Sequence, residues 1–385
     1  MSDCRHPNVG PINHLDQLQS VKEEWLDIYE GTSAKSPFLS FEFINLWYNC
    51  FAEPDQVRIY RAYDGRRTIG FLPLIIGRKK GIRVLASLTN DHCLHSGPLV
   101  RNGYDGGFPE LMLKELLRDS HSWDVFFYSF SYSFSKLPGL FSDKLLNGSG
   151  AHWARKSEPT YVISLEKPFE EYFSKNLSRN VRNSLKRHRN RLNREKSFRV
   201  LHYRAIEALE LWSEFVEIEG SGWKGEAGSS INRAAREFKT YYEGLVKLLA
   251  RRDALNIHFL EVNGKNVAGV FGYVEGDTYH YAKIGYNEEF KSFSPSNLLI
   301  LYIIEQLMRN FPDITRFHMF PWDYGYKHRY TNEEAFSLKT IIFSPTLHGK
   351  IIEYLYKSKK LLSRVPGAVP IAQFARSLLQ KKDDR

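Results

Sequence analysis

The chain has 385 residues, which predicts two or three domains at roughly 100–200 residues each. Hydrophobic residues make up 42% and charged residues 25%, a balance typical of globular proteins and not of disordered chains. Only three cysteines are present, which argues against a secreted disulfide scaffold, and no apolar run approaches the ~18 residues of a membrane span. The composition therefore favours a soluble cytoplasmic protein.

The positive charge is concentrated in one segment. The formal net charge is +10, and the stretch from Lys175 to Arg199 contains ten basic residues and one acid, Glu195. The rest of the chain is therefore nearly neutral. This distribution excludes a uniformly cationic nucleic-acid coat but leaves room for a local anion-binding surface.

The first half reads as helices followed by strands. Helical spacing runs from about Leu15 to Tyr29, and the aromatic segment "FLSFEFINLWYNCF" predicts a second helix. The strands "VRIYRAY" and "RTIGFLPLIIG" are separated by Asp64-Gly65, a dipeptide favoured in hairpin turns. A third strand "IRVLASL", a helix "ELMLKELLRD" and a strand "WDVFFYSF" follow.

The second half repeats this order. Helices are predicted at about 205–219 and 233–251, and Asn263-Gly264 joins the strands "IHFLEV" and "NVAGVFGYV". The strand "TYHYAKIGY", the helix "SNLLILYIIEQLMRN" and the strand "ITRFHMF" complete the unit. Two copies indicate a tandem duplication, and the mixture of hairpins and helices predicts an α+β (mixed α/β) fold. We predict an N-terminal lobe at 11–150, a C-terminal lobe at 151–345 and a basic helical tail at 346–385.

The basic segment is predicted to be an ordered helix. Leu177, Val181, Leu185 and Leu192 form an apolar stripe, and His188 fills the gap in it. The helix is either a solvated surface element or a surface for a polyanion such as RNA, lipid headgroups, an acidic carrier protein or a charged glycan. Aromatic residues are absent between positions 174 and 196, which argues against single-strand recognition. We expect this helix to flank the route of an anionic acceptor, apart from the donor loop described next.

The loop "NEEFKSFSPSN" leads into the most apolar helix. Ser294 suits the N-cap, Pro295 suits the first helical position, and Lys291 is close in sequence. Such a helix start presents backbone N–H groups and the positive end of the helix dipole, which favour phosphate. The alternative is an ordinary capped core helix, and the loop has no Gly-rich nucleotide motif.

Two further segments carry candidate chemistry. In "EIEGSGWKGEAGSS", four glycines allow close backbone approach beside Glu219, Trp223 and Lys224, where the tryptophan could wall a pocket. In "HMFPWDYGYKHRY", Asp323, Tyr326 and other polar groups follow a strand end, an arrangement that suits proton transfer or anion orientation. The alternatives are an ordinary turn and a polar surface loop.

Histidine and cysteine patterns give little support for a metal. The segment "DHCLH" has suitable residue types, but its spacing is poor and no second ligand pair stands out, so no metal is predicted. His280, on the strand "TYHYAKIGY", belongs to a class of lone strand histidines that are more often core residues than catalysts. We include it among the predicted substrate contacts.

These segments together resemble a known family. The basic helix "LSRNVRNSLKRHRNRL", the loop "SGWKGEAGSSI", the meander "FLEVNGKNVAGVFGYVEGDTYHYAKIGYNEEFKSFSPSNLL" and "PWDYGYKHRY" resemble the CelD-like (cellulose-biosynthesis) acetyltransferases of the GNAT superfamily. That group is related to FemAB-type transferases with two tandem GNAT-like lobes. The resemblance spans about residues 20 to 345. It implies acyl transfer from a CoA thioester to an amine, often in bacterial surface-polysaccharide or envelope pathways.

The resemblance also implies site residues. The donor loop falls on Lys291 to Asn297, so the acyl-CoA contacts are predicted at Lys291, Ser294, Ser296 and Asn297. The W-K-G element falls on 223–225 and the G-D-x-x-Y-K element on Asp323, Tyr326 and Lys327. Ser296 and Trp322 depart from glycines that are usual in the family, and the familiar GNAT phosphate loop is absent. The donor therefore stays open between acyl-CoA, acyl carrier protein and aminoacyl-tRNA.

The predicted reaction needs a base, an acid and an oxyanion site. We predict Glu219 or Asp323 as the base and Tyr326 as the acid or a positioning group. The predicted substrate contacts are Trp223, Lys224, His280 and Lys327.

The leading interpretation is an N-acyltransferase acting in the C-terminal lobe on a sugar-nucleotide, glycan or lipid-linked acceptor. The protein would work in the cytoplasm, with peripheral contact at the inner membrane surface, and nucleic acid is disfavoured as a partner. The alternatives are a Fem-like aminoacyl-tRNA-dependent transferase and a non-catalytic scaffold for polysaccharide assembly.

Overall fold

The computed structural model describes residues 11–33, 36–90, 92–93, 96–129, 152–221, 230–321, 325–331 and 333–362. The chain divides into two compact units. Unit 1 contains Met1–Ser157 and Ser337–Arg385, and unit 2 contains Glu158–Phe336. The unit boundaries therefore lie at 157/158 and 336/337, compared with the predicted divisions at 150/151 and 345/346.

Unit 1 combines a mixed sheet with helices. Its helices are α1 (Lys22–Gly31), α2 (Phe41–Phe51), α3 (Phe108–Arg118) and α10 (Leu347–Leu362), and its strands are β1 (Val57–Asp64), β2 (Arg67–Lys79), β3 (Ile82–Ser87), β4 (Leu99–Val100) and β5 (Val125–Ser129). β1, β2 and β3 form an antiparallel meander, and β5 lies parallel to β3. The last strand, β12 (Glu334–Phe343), pairs antiparallel with β5.

Unit 2 has the same plan. Its helices are α4 (Phe169–Lys175), α5 (Arg179–Glu195), α6 (Ala205–Glu210), α7 (Trp212–Gly220), α8 (Arg236–Arg251) and α9 (Pro295–Asn310), and its strands are β6 (His152–Ser164), β7 (Phe198–Arg204), β8 (Leu255–Val262), β9 (Lys265–Glu275), β10 (Thr278–Tyr286) and β11 (Arg316–Pro321). β8, β9 and β10 form an antiparallel meander, and β11 lies parallel to β10. β6 pairs antiparallel with β11, and β7 pairs with β8.

The two units repeat one topology. In each, a three-stranded meander is followed by a helix, a fourth strand parallel to the third, and a fifth strand antiparallel to the fourth. The fifth strand of unit 1 follows unit 2 in sequence, because β12 pairs with β5. The prediction of an α+β fold with two tandem lobes, each an antiparallel-rich mixed sheet flanked by helices, is confirmed.

The two helices that the sequence singled out form for local reasons. α5 begins after Ser178, whose hydroxyl accepts a hydrogen bond from the Val181 N–H, and its stripe residues Leu185 and Leu192 are buried in the core of unit 2. α9 begins at Pro295, whose fixed φ suits the first turn, and packs most of its length into the same core. The stripe therefore gave α5 a packed face and a charged face, as predicted.

No helix among the described residues is long and apolar enough to cross a membrane.

Two histidines with unequal burial stack on neighbouring strands of unit 2, with His202 half-buried on β7 and His258 on β8. The rings of His202 and His258 stack with centroids 4.1 Å apart, and His258 is fully buried. His202 contacts Asn256 and Gln306, but neither ring nitrogen of His258 has a partner among the described residues. Burial, and next the neighbouring His202, lower the pKa of His258 well below its usual value.

This burial predicts a stability that depends on pH. Below about pH 6.5 the unfolded chain takes up a proton at His258 that the native protein does not, so the free energy of unfolding falls as the pH falls. The slope is at most about 1.4 kcal/mol per pH unit for this group. Urea unfolding at pH 7.5 and 5.5 should show a smaller pH dependence for His258→Leu than for the wild type. The exposed His121→Leu is the control, and equal pH dependences in all three proteins would contradict the prediction.

Candidate functional site

The candidate site of unit 2 starts where two parallel strands separate. β10 and β11 pair over three residues only, with Thr278, Tyr279 and His280 opposite Arg316, Phe317 and His318. β10 then has a bulge between Tyr281 and Lys283 and continues to Tyr286, without further pairing to β11 in the described ladder. An open strand edge presents backbone N–H and C=O groups that need partners. The opening can therefore accept an extended, hydrogen-bonding ligand.

The end of β11 has an unusual backbone. Phe320 has φ of 40°, a left-handed conformation that is strained for a bulky residue, and the pairing with β6 shifts register between His318 and Pro321. The ammonium of Lys327, itself only 2% exposed, donates a hydrogen bond to the carbonyl of Phe320. Lys327 thus fixes the strand end that borders the opening. The predicted contact between Lys327 and an acceptor stays a prediction.

Two buried histidines lie where the strands separate. Nδ1 of His280 is 3.2 Å from Nδ1 of His318, so the N–H of one ring donates a hydrogen bond to the other. Nε2 of His318 is 3.1 Å from Oγ1 of Thr160, and Nε2 of His280 is 3.7 Å from a carboxylate oxygen of Glu275. These four side chains lie on the neighbouring strands β6, β11, β10 and β9 and form a polar row across the sheet. His280 is 2% exposed, so its predicted contact with a substrate would have to come through a neighbouring group.

Three tyrosines lie on β10 and on the segment that follows β11. Tyr326 is half-buried and precedes the short turn Lys327–Arg329. Burial, and next the hydroxyl of Tyr326, raise the pKa of Tyr281 well above its usual value, so Tyr281 remains a neutral phenol. Tyr330 donates to Oδ1 of Asn297 at 3.1 Å, which ties the loop after β11 to the first turn of α9.

The predicted donor loop, Lys291 to Asn297, comprises the end of a short 3-10 helix (Glu288–Phe293), Ser294 and the first residues of α9. Lys291 is exposed and pairs with Glu288 at 3.3 Å, and the hydroxyl of Ser296 is buried without a partner among the described residues. The prediction that Ser294 is the N-cap residue and Pro295 the first helical residue is confirmed, but the Ser294 side chain makes no capping hydrogen bond. Its left-handed backbone, with φ of 51°, leaves the hydroxyl 3.5 Å from Nε2 of His188 and without a bond to a first-turn N–H.

The basic helix packs beside this loop. His188 meets Ser294, and the guanidinium of Arg191 lies over the ring of Phe293 at 4.6 Å. Arg187 lies one turn before Arg191 and so shares its face of α5. The expectation that α5 and the donor loop lie apart is therefore wrong. The position of His188 in the apolar stripe predicted the packed face of α5. It could not predict the loop that packs there, because that loop is more than 100 residues away in sequence.

Glu219 ends helix α7 beside β10. Its side chain is buried, Oε2 accepts a hydrogen bond from the Ile231 N–H at 2.9 Å, and Oε1 is 4.0 Å from Nζ of Lys283. Gly285 makes this approach possible, because a Cβ at that position would lie 2.3 Å from the Cα of Glu219. The carboxylate is thus held by the backbone of the following segment and by a lysine of β10.

Three of the sequence-predicted site residues, Trp223, Lys224 and Asp323, lie outside the described residues. Within the described part of the chain, no cluster of three or more His, Cys, Asp or Glu side chains could hold a metal ion.

His318 lies in the polar segment "HMFPWDYGYKHRY" that the sequence analysis singled out, but it was given no role, and Thr160 and Tyr281 were not selected for the site. The local sequence shows a histidine in each of two strands and tyrosines at alternate positions of β10. Only the register between the strands, which the local sequence does not reveal, brings these side chains together.

Comparison with known protein families finds a match, and it lies within unit 2. Residues 179–328 match the family described as an acetyltransferase (GNAT) domain. This segment runs from α5 to the Lys327 turn, and so it includes the β10–β11 opening, the donor loop and α9. The matched segment, 150 of the 385 residues, is similar to a GNAT acetyltransferase domain, and the prediction that the protein is an acyltransferase enzyme is confirmed. A search of curated proteins returned no match.

Solved structures show the same fold over most of the chain. FemX is 11% identical, with a TM-score of 0.53, and the match covers 86% of this chain and 98% of FemX. The C-terminal domain of a putative lysylphosphatidylglycerol synthetase from Agrobacterium fabrum is also 11% identical, with a TM-score of 0.51, covering 92% of this chain and all of that domain. The predicted relation to the GNAT superfamily and to Fem-like proteins is confirmed at the level of fold.

Proposed function

We propose that the protein is an N-acyltransferase that moves an acyl group from acyl-CoA to an amine on an envelope or surface-polysaccharide precursor, as in the CelD-like group. The observation that carries this proposal is the opening between β10 and β11 next to the start of α9. An extended thioester arm fits an open strand edge, and a helix start with nearby cations suits its phosphates. Acyl carrier protein presents a similar arm and is the second donor compatible with this geometry.

The cations that would meet the donor come from the basic helix as well as from the loop. Arg191 lies over Phe293, Lys291 belongs to the segment that leads into α9, and Arg187 lies one helical turn before Arg191 on the same face of α5. Because this face of α5 borders the donor loop, we assign it to the donor and not to the acceptor. The positive charge of α5 then has a function at the proposed site without any requirement for RNA.

The chemistry requires little beyond positioning. The amine nitrogen attacks the thioester carbonyl, the C–N bond forms, the C–S bond breaks, and the amine proton leaves to a base while the thiolate gains a proton. We assign the base to Glu219 or Asp323 and the acid or positioning role to Tyr326. Backbone N–H groups of the open edge of β10 would stabilise the oxyanion. Trp223, Lys224 and Lys327 would orient the acceptor, with Lys327 acting through the end of β11.

Calorimetry with acetyl-CoA and longer acyl-CoAs tests the donor. We expect binding by at least one thioester. Absence of binding by every acyl-CoA, together with binding of charged tRNA, would replace this proposal by a Fem-like aminoacyl transfer. Absence of binding by any donor would favour the scaffold.

A matched pair of variants tests the role of the basic helix. Arg191→Gln should weaken acyl-CoA binding by roughly tenfold or more, since a charge-assisted contact to phosphate contributes about 1.5–3 kcal/mol. Arg179→Gln removes the same charge from the far end of α5 and should leave the affinity almost unchanged. The wild-type affinity should also fall with added salt more steeply than that of Arg191→Gln. Equal affinities for the two variants would contradict a contact between this face and the donor.

A further inference from the structure

Helix α10 of unit 1 is apolar on two opposite faces. Its inner face packs on the sheet, where Ile352 is buried and the ring of Tyr356 lies 5.5 Å from that of Phe343 of β12, tilted by 45°. Its outer face carries Leu347, Ile351 and Leu355, whose exposures are 77%, 48% and 54%. The spacing i, i+4, i+8 puts these three side chains in one stripe, and Tyr354, also exposed, lies within it. A helix on the surface of a globular protein normally needs only one such face.

The start of α10 is held firmly. A Cβ at Gly349 would lie 2.2 Å from the carbonyl oxygen of Ser344, so the helix approaches the preceding turn closely. Ser344 in turn donates to the carbonyl of Ser120, and Nδ1 of His348 is 3.0 Å from a carboxylate oxygen of the buried Asp124. The outer stripe is therefore presented by an anchored helix and not by a fraying end.

The charges on α10 point to one kind of partner. The helix contains four lysines and one glutamate. Lys350 and Lys357 are exposed, and their positions place them along one border of the apolar stripe. Apolar residues flanked by lysines, with a tyrosine in the stripe, are the composition of helices that lie in a membrane interface. A second copy of this chain would bring like charges together and is disfavoured.

We propose that α10 binds the surface of an anionic lipid bilayer, with its outer stripe at the acyl boundary and its lysines at the headgroups. This inference goes beyond the proposed acyl transfer and does not depend on it. It assigns membrane contact to a surface of unit 1 and not to the basic helix α5.

Vesicle co-sedimentation of the full chain tests the proposal. The wild type should bind vesicles of mixed phosphatidylglycerol and phosphatidylcholine, and bind vesicles of phosphatidylcholine alone much less. In the triple variant Leu347→Ser, Ile351→Ser, Leu355→Ser, the partition coefficient onto the anionic vesicles should fall by more than about tenfold. In the double variant Lys350→Gln, Lys357→Gln, the partition coefficient should fall several-fold on the anionic vesicles and stay unchanged on phosphatidylcholine vesicles.

The control is Ile206→Ser, since Ile206 is an exposed isoleucine (53%) on unit 2. It should bind vesicles like the wild type, and circular dichroism should be the same for all the variants.

Three results would overturn the proposal. One is no binding of the wild type to either vesicle, and another is equal binding by the triple variant. The third is a wild-type dimer that becomes monomeric in the triple variant while vesicle binding is unchanged, which would assign the stripe to a second copy.

Discussion

Tyr326→Phe is expected to lower the turnover number by roughly a hundredfold with little change in the affinity for the donor. The substitution removes one hydroxyl from a half-buried ring that follows β11 in sequence and lies beside Tyr281 of β10. A side chain that transfers or positions a proton typically contributes 10²–10⁴-fold to the rate. Steady-state kinetics with a thioester donor measure the effect, with release of the free thiol as the readout.

The matched control is Tyr203→Phe, which removes a hydroxyl from β7 on the other side of the meander. It should retain wild-type turnover. Asp323→Asn and Glu219→Gln separate the two candidate bases, because only the variant that lacks the base should lose about a hundredfold and change the pH profile. Wild-type turnover in Tyr326→Phe and in both carboxylate variants would rule out these three roles.

The order of elements was predictable because its signals are local. Asp64-Gly65 and Asn263-Gly264 mark two hairpins, and both glycines have positive φ in the structure. Each hairpin is followed by a strand, an apolar helix and another strand, so the duplication could be recognised in one sequence. The apolar stripe of the basic helix likewise gave its buried face.

The parts that the sequence missed depend on pairing between distant segments. The contact of His280 with His318 requires the register of β10 against β11, and the pairing of β12 with β5 requires the chain to return after the whole of unit 2. Lysine is seldom buried, so nothing in its local sequence identifies Lys327 as the residue that holds the carbonyl of Phe320. Residue types identified the candidate site, whereas long-range register determines which of them meet.

Gly285→Ala should destabilise unit 2 and impair catalysis together. The new Cβ would lie 2.3 Å from the Cα of Glu219, 2.8 Å from its nitrogen and 2.9 Å from the carbonyl oxygen of Ile218. All three are backbone atoms, so they cannot rotate away as a side chain could, and the end of α7 must move off β10. Overpacking of this kind costs about 1–3 kcal/mol of the free energy of unfolding. The movement would also displace the Glu219 carboxylate from the Ile231 N–H and from Lys283.

Gly77→Ala provides the comparison, because it makes the same change in strand β2, where a Cβ would meet no atom within 4 Å. Urea unfolding should give Gly77→Ala a free energy close to that of the wild type, and its turnover should be normal. If Gly285→Ala is as stable as Gly77→Ala, α7 does not rest on β10 at this glycine. If it is destabilised but retains full turnover per folded molecule, the position of Glu219 is not limiting for catalysis, and Asp323 becomes the remaining candidate for the base.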